Sequence, residues 1–120
     1  MARIMAVDDS VSLRRMLVQT LVEGGHQVTE AQDGLQAVGL AATTVVQLVI
    51  TDINMPNMDG LTLVKKLRAM PAYKHVPILV LTTEMDPAKK KIAKDAGATG
   101  WIVKPFIPEQ LLGTIRKVLD

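Results

Sequence analysis

Short apolar runs and longer amphipathic segments alternate along the whole chain. Residues 4–7, 27–30, 47–51, 76–81 and 100–103 are brief stretches rich in Val, Ile, Leu and Thr, with 27–30 the weakest of them. Runs this short and this rich in β-branched residues predict strands buried on both faces. The segments between them have helical spacing. Within Val11–Glu23, Leu13, Leu17 and Leu21 recur at i, i+4, and Gly24-Gly25 stops the helix. Asp33-Gly34 turns into a helix over residues 35–42. A loop of Asn, Pro and Gly over residues 54–60 precedes a helix over 61–70, with Leu63, Leu67 and Met70 on one face. Asp86 is a good N-cap, and Pro87 suits the first position of a helix that runs to Ala96 and ends at Gly97. Pro108 opens a last helix carrying Leu111, Leu112, Ile115, Val118 and Leu119.

Five βα units in 120 residues predict an α/β fold: a doubly wound, five-stranded parallel sheet with helices on both faces. Right-handed crossovers narrow the topology and point to the strand order 2-1-3-4-5. Ligands of such sheets bind outside the carboxyl ends of the strands, at the switch point between strands one and three.

The ends of the apolar runs are where the chemistry sits. Asp8 and Asp9 follow the first run, Asp52 the third, Thr82 the fourth and Lys104 the fifth. Singly, each has a plain structural explanation: a helix cap, a turn residue, a strand end, a solvated lysine. Together, on parallel strands, they converge at one edge of the sheet. Carboxylates brought that close repel unless a divalent cation and the lysine offset them. Moving a phosphoryl group onto a carboxylate needs such neutralisation, because anion meets anion. Magnesium, which takes hard oxygen ligands and keeps several waters, suits the role. Lys104 offers a point charge to a phosphoryl oxygen, and the Thr82 hydroxyl a hydrogen bond.

Composition narrows the alternatives. The length fits one domain, residues 1–120, and the 48% hydrophobic content supports a packed core. Cysteine is absent, which removes disulfides, zinc-thiolate sites and thiol nucleophiles. No stretch reaches membrane-spanning length, and Asp8 and Asp9 interrupt the early apolar run where a signal peptide would lie. A soluble cytoplasmic protein is therefore expected. The net charge of +2 is too small to indicate nucleic acid, and Lys89, Lys90, Lys91 and Lys94 read as a solvated helix face. Tyr73, Trp101 and Phe106 are the only aromatics, too few for a base-stacking surface. His26 and His75 fall in polar connections and read as solvated, and the dispersed methionines read as packing residues.

The motifs resemble the receiver domains of two-component response regulators, above all stand-alone chemotaxis regulators of the CheY type. The resemblance spans the chain. It rests on Val7-Asp8-Asp9-Ser10, on Thr51-Asp52-Ile53-Asn54-Met55-Pro56 through Asp59-Gly60, on Leu81-Thr82-Thr83-Glu84, and on Gly97-Ala98 through Trp101-Ile102-Val103-Lys104-Pro105-Phe106. It implies the flavodoxin-like order 2-1-3-4-5, which CheY itself has.

The resemblance also implies a role for each position. Asp52 would be the phosphoacceptor. Asp9, supported by Asp8, would hold Mg2+ together with Asp52 and the backbone carbonyl of Asn54. Lys104 would contact the phosphoryl group, and Thr82 would be the switch hydroxyl. Trp101 stands where the family has a smaller ring that changes rotamer with the switch, and Thr83 is bulkier than the residue usual there. Asn54 and Glu84 would influence phosphoryl lifetime. The Lys104-Pro105 bond would be cis. The partners implied are a histidine kinase as phosphoryl donor and a target protein such as a flagellar motor switch component. The chain ends with the fifth helix, so output is expected through a protein contact and not through an appended domain. The chain would assist its own phosphorylation and dephosphorylation without being a conventional enzyme.

Three other readings stand beside this one. A phosphorelay intermediate would pass the group to another histidine. A receiver-like scaffold would bind partners without phosphorylation. A flavodoxin-like cofactor carrier would need a phosphate loop after the first strand, where Asp8 and Asp9 would repel a flavin phosphate.

Overall fold

The expected alternation is the one observed in a computed structural model, which describes residues 1–83 and 86–120. The elements are β1 (Arg3–Val7), α1 (Val11–Glu23), β2 (Gln27–Ala31), α2 (Gly34–Thr43), β3 (Leu48–Asp52), α3 (Gly60–Arg68), β4 (Ile78–Thr82), α4 (Pro87–Ala96), β5 (Gly100–Val103) and α5 (Pro108–Leu119). All strand pairs are parallel and the order is β2-β1-β3-β4-β5.

Strand periodicity sorts the core into two halves. Met5, Val7, Val49 and Ile78 face Ala37, Ala41, Leu63, Val64, Leu67 and Ala96, from α2, α3 and α4. Ile4, Ala6, Leu48, Ile50, Leu79 and Leu81 face Leu17, Leu21, Leu111 and Ile115, from α1 and α5. Central strands buried on both faces have no polar alternation, which is why they read as continuous apolar runs. Burying each such aliphatic side chain contributes roughly 1.5–3 kcal/mol.

Boundaries moved where backbone hydrogen bonding or proline intervened. Asp52 does not follow β3 but ends it, because its backbone still pairs with Leu81. Thr82 likewise lies on β4, opposite Val103. The third helix stops at Arg68, and Met70 is extended, with ψ 125°. Pro71 explains this: a residue before proline is crowded out of the helical region. A short 3-10 turn, Pro71–Tyr73, follows, and Met70 still packs on the neighbouring core. β4 starts at Ile78 and not at residue 76, since Pro77 has no N–H for the ladder.

His26 departs from the solvated reading. It is half-buried, and its Nδ1 accepts the Ala2 N–H at 3.1 Å. Burial, and then the positive Met1 amine, hold its pKa below the usual 6.5. The unfolded chain therefore takes up the proton first as pH falls. Stability from this contact is present above about pH 6.5 and declines as pH drops below it. Urea midpoints of the parent should fall between about pH 7.5 and pH 5.5 more than those of His26→Gln. Identical slopes would show that His26 has no part in acid sensitivity.

Candidate functional site

Parallel register brings the functional strand ends together. Val7 pairs with Thr51, Asp52 with Leu81, and Thr82 with Val103, so Asp8, Asp52, Thr82 and Lys104 fall along one edge. Ser10, not either aspartate, caps α1: its side chain accepts the Leu13 N–H. Asp8 holds the turn below the cap, its Oδ1 accepting the Ser10 N–H at 2.9 Å. Arg14, which sequence reasoning passed over, donates to the Asp8 carbonyl at 2.7 Å and pairs with Glu30 at 3.1 Å. Its place one turn into α1, after the two aspartates, was the available signal.

The carboxylates of Asp8, Asp9 and Asp52 each offer an oxygen, all within 4.8 Å of one another. Asp8 and Asp52 are buried and Asp9 lies exposed at the rim. Lys104 reaches in from the end of β5, with Nζ 3.0 Å from Asp52 Oδ1 and 3.5 Å from Asp8 Oδ2. Its backbone N–H donates to the Thr82 carbonyl at 2.8 Å, and its peptide bond to Pro105 is cis. The donor set fits a hard divalent cation: carboxylate oxygens only, more negative than one lysine can offset.

Burial pushes the Asp52 carboxyl above the usual carboxylate range. The Lys104 hydrogen bond and charge oppose this, the Asp8 charge adds to it, and the Ile53 N–H, 2.8 Å from Oδ1, opposes it. A raised folded pKa stabilises the protein in acid, and that stability is lost as pH rises through it. Lys104→Ala removes the main opposing influence. In chelator and near neutral pH it should cost roughly 2–4 kcal/mol, shrinking towards about pH 4 as Asp52 protonates. Urea unfolding at both pH values measures this. An unchanged midpoint near neutrality would show that Lys104 does not offset the carboxylates.

The other candidate positions differ in exposure. Asn54 and Thr83 are exposed, and Thr82 is half-buried. Glu84 lies outside the described residues. Trp101 is 37% exposed and packs outward against α4, with the Lys90 ammonium 4.7 Å from its ring centroid. Lys90 is thus not simply part of a solvated face. The space between Trp101 and Thr82, bordered by Ile53, Val80 and Ala93, is only about 10 Å³. Of the other aromatics, Tyr73 is fully buried and bonds Val46 and Thr44, while Phe106 packs against α5 and the sheet.

A switch-point site of paired acids, a third carboxylate and a lysine on this sheet defines a class of phosphoacceptor module. The chain belongs to the response regulator receiver domain family, whose sequence pattern matches residues 4–116. It is 43% identical over 119 residues to the chemotaxis protein CheY homolog of Campylobacter jejuni, covering 98% of this chain and 92% of that protein. Chemotaxis protein CheY4 of Vibrio cholerae is 49% identical, with 99% of both chains covered and a TM-score of 0.96. A receiver domain from a sensor histidine kinase of Pseudomonas aeruginosa, described with a magnesium ion coordinated in its active-site cleft, is 25% identical. It superimposes with a TM-score of 0.92 over 98% of this chain and 97% of that one. Receiver domains are signalling modules and not conventional enzymes. Among the described residues, no helix is long and apolar enough to cross a membrane.

Proposed function

We propose that residues 1–120 act as one cytoplasmic receiver that switches a chemotaxis response when Asp52 is phosphorylated. The observation that carries this reading is Lys104 Nζ 3.0 Å from Asp52, inside a cluster of three carboxylates. An Asp52 carboxylate oxygen attacks the phosphorus of a kinase phosphohistidine, the new O–P bond forms, and the P–N bond breaks to return the imidazole. Lys104 stabilises charge gathering on the phosphoryl oxygens. Asp8, Asp9, Asp52 and the Asn54 carbonyl would hold magnesium, which supplies further neutralisation of that charge.

Thr82, next along the edge, donates its hydroxyl to the phosphoryl group and draws the C-terminal end of β4 with it. An indole does not fit the 10 Å³ beside Thr82. Inward movement of Trp101 therefore requires α4 and Lys90 to shift as well, which couples the site to the α4–β5–α5 surface. That surface carries a groove of about 290 Å³ lined by Trp101, Val103, Phe106 and Ile107, suited to a protein target such as a flagellar motor component. The names of the curated relatives favour this output over a phosphorelay step.

Intact mass after incubation with magnesium and a small acyl-phosphate donor tests the proposal. A gain of one phosphoryl group, absent when a chelator is added, is the expected result. A parent chain that stays unmodified with both the small donor and a histidine kinase would sink it.

A further inference from the structure

The β3–α3 loop, residues 53–59, carries Asn54 between two anchors. One is at its base, where the Gly60 N–H donates to the Ile53 carbonyl at 2.8 Å and the Ile53 N–H to Asp52. The other is at its tip and comes from a different part of the chain. Asp33, buried ahead of α2, divides its carboxylate: Oδ1 accepts the Gln36 N–H at 2.8 Å as the helix cap, and Oδ2 accepts Nδ2 of Asn57 at 3.0 Å. Gln36 also reaches back past the cap, its Oε1 accepting the Gln32 N–H at 2.7 Å.

The tip needs holding. Asn57 has φ +69°, alone among the described non-glycine residues in having a positive value. It is the centre of a three-residue turn closed by the Met58 N–H to the Pro56 carbonyl at 2.7 Å. A three-residue turn with a positive central φ is rare and strained, and persists where surroundings over-determine it. Gly34 completes the grip: a Cβ there would stand 2.8 Å from the Met58 carbonyl and side chain, so α2 starts flush against the loop.

We propose that Asp33 and Asn57 are positioning residues for the metal half-site, clamping the loop so that the Asn54 carbonyl faces Asp8, Asp9 and Asp52. This rests on the receiver reading above, which assigns that carbonyl to the ion. Only Met55 and Pro56 separate Asn54 from Asn57, and the fixed φ of Pro56 leaves that link little freedom. Displacing the tip therefore moves the carbonyl. Asp33 touches neither the carboxylate cluster nor Lys104 through any bond of its side chain, so its influence on the ion passes through Asn57.

Magnesium titrations followed by amide NMR test the clamp in the parent, Asn57→Gly, Asp33→Ser and the double variant. Glycine keeps the positive φ but loses the amide. Serine keeps the α2 cap but is too short for Asn57. Each single variant should weaken magnesium binding by at least roughly threefold, short of the roughly 10- to 100-fold of a partner bonded directly to a ligand. The double should be no weaker than the worse single, since one interaction is shared. Exchange of the Met58 and Gly60 amides in metal-free protein should quicken in the same variants. Folded single variants binding within about twofold of the parent, or losses that add in the double, would overturn the clamp. If Asp33→Ser does not fold, Asn57→Gly decides alone. A parent that binds no magnesium overturns the receiver reading and the clamp together, whereas a binding parent with unaffected variants overturns only the clamp.

Discussion

Asp52→Ala is expected to abolish phosphoryl uptake, taking the mass gain of the parent to background even with excess donor. Asp8 and Asp9 lie in the same cluster, so the loss is not a foregone result. The geometry separates them. Asp8 has both oxygens engaged: Oδ1 accepts the Ser10 N–H and Oδ2 faces Lys104. Asp9 sits exposed at the rim, and Lys104 pairs with the other two carboxylates instead. Asp52 directs its contacts with Lys104 and Ile53 to Oδ1, and on the proposed reading Oδ2 is the oxygen that attacks. Among the described residues it is also the carboxylate nearest to Lys104, whose removal should slow uptake by roughly 100-fold without abolishing it. Asp9→Ala should slow uptake and raise the magnesium requirement while leaving a measurable gain. A full mass gain in Asp52→Ala, mapped to Asp8 or Asp9, would reassign the acceptor.

The second large effect concerns folding. Gly60→Ala should lower stability by roughly 3–5 kcal/mol, at the top of the range for single substitutions. A Cβ on Gly60 would lie 2.0 Å from the Asp52 carbonyl oxygen, 2.9 Å from Ile53 Cα and 3.0 Å from the Asp52 carbonyl carbon. All of these are backbone atoms, so no rotamer change relieves the clash. Either β3 loses its end or α3 withdraws from the sheet, and withdrawal exposes Leu63, Val64 and Leu67. For a chain of this size the melting temperature should fall by roughly 10–20 °C. Because the clash falls on Asp52, protein that still folds should also accept phosphoryl groups poorly. A melting temperature within about 3 °C of the parent would show that the helix is less tightly seated than the distances require.

Much of the architecture could be read from one dimension. The apolar runs announced β1, β3, β4 and β5 because strands covered on both faces tolerate little polarity, and even the weak run at 27–30 formed β2 at the edge. Asp86-Pro87 and Gly97 marked the ends of α4 because capping chemistry is local. The convergence of Asp8, Asp9, Asp52 and Lys104 was legible for a related reason: parallel strands of similar length put all their C-terminal residues on one edge. The roles given to these residues rested on the family resemblance, which came from the same motifs.

Other features depended on partners distant in sequence. Asp33 and Asn57 are 24 positions apart, and nothing in Asp33-Gly34 distinguishes a clamp from an ordinary helix cap until α2 and the β3–α3 loop are packed together. Arg68 reads as one more surface cation at the end of α3. Only the fold shows it donating to the carbonyls of Tyr73, Val76 and Gly97, tying α3 to the end of α4. The Trp101 orientation was undecided by sequence because it depends on Lys90 and on how little room α4 leaves beside Thr82. Periodicity, capping and strand-end chemistry repeat every few residues and are written locally, so the sequence determined the fold and the convergence of Asp8, Asp9, Asp52 and Lys104. Which side chains clamp, pair or point outward depends on distances between separate elements, and those only the tertiary structure decided.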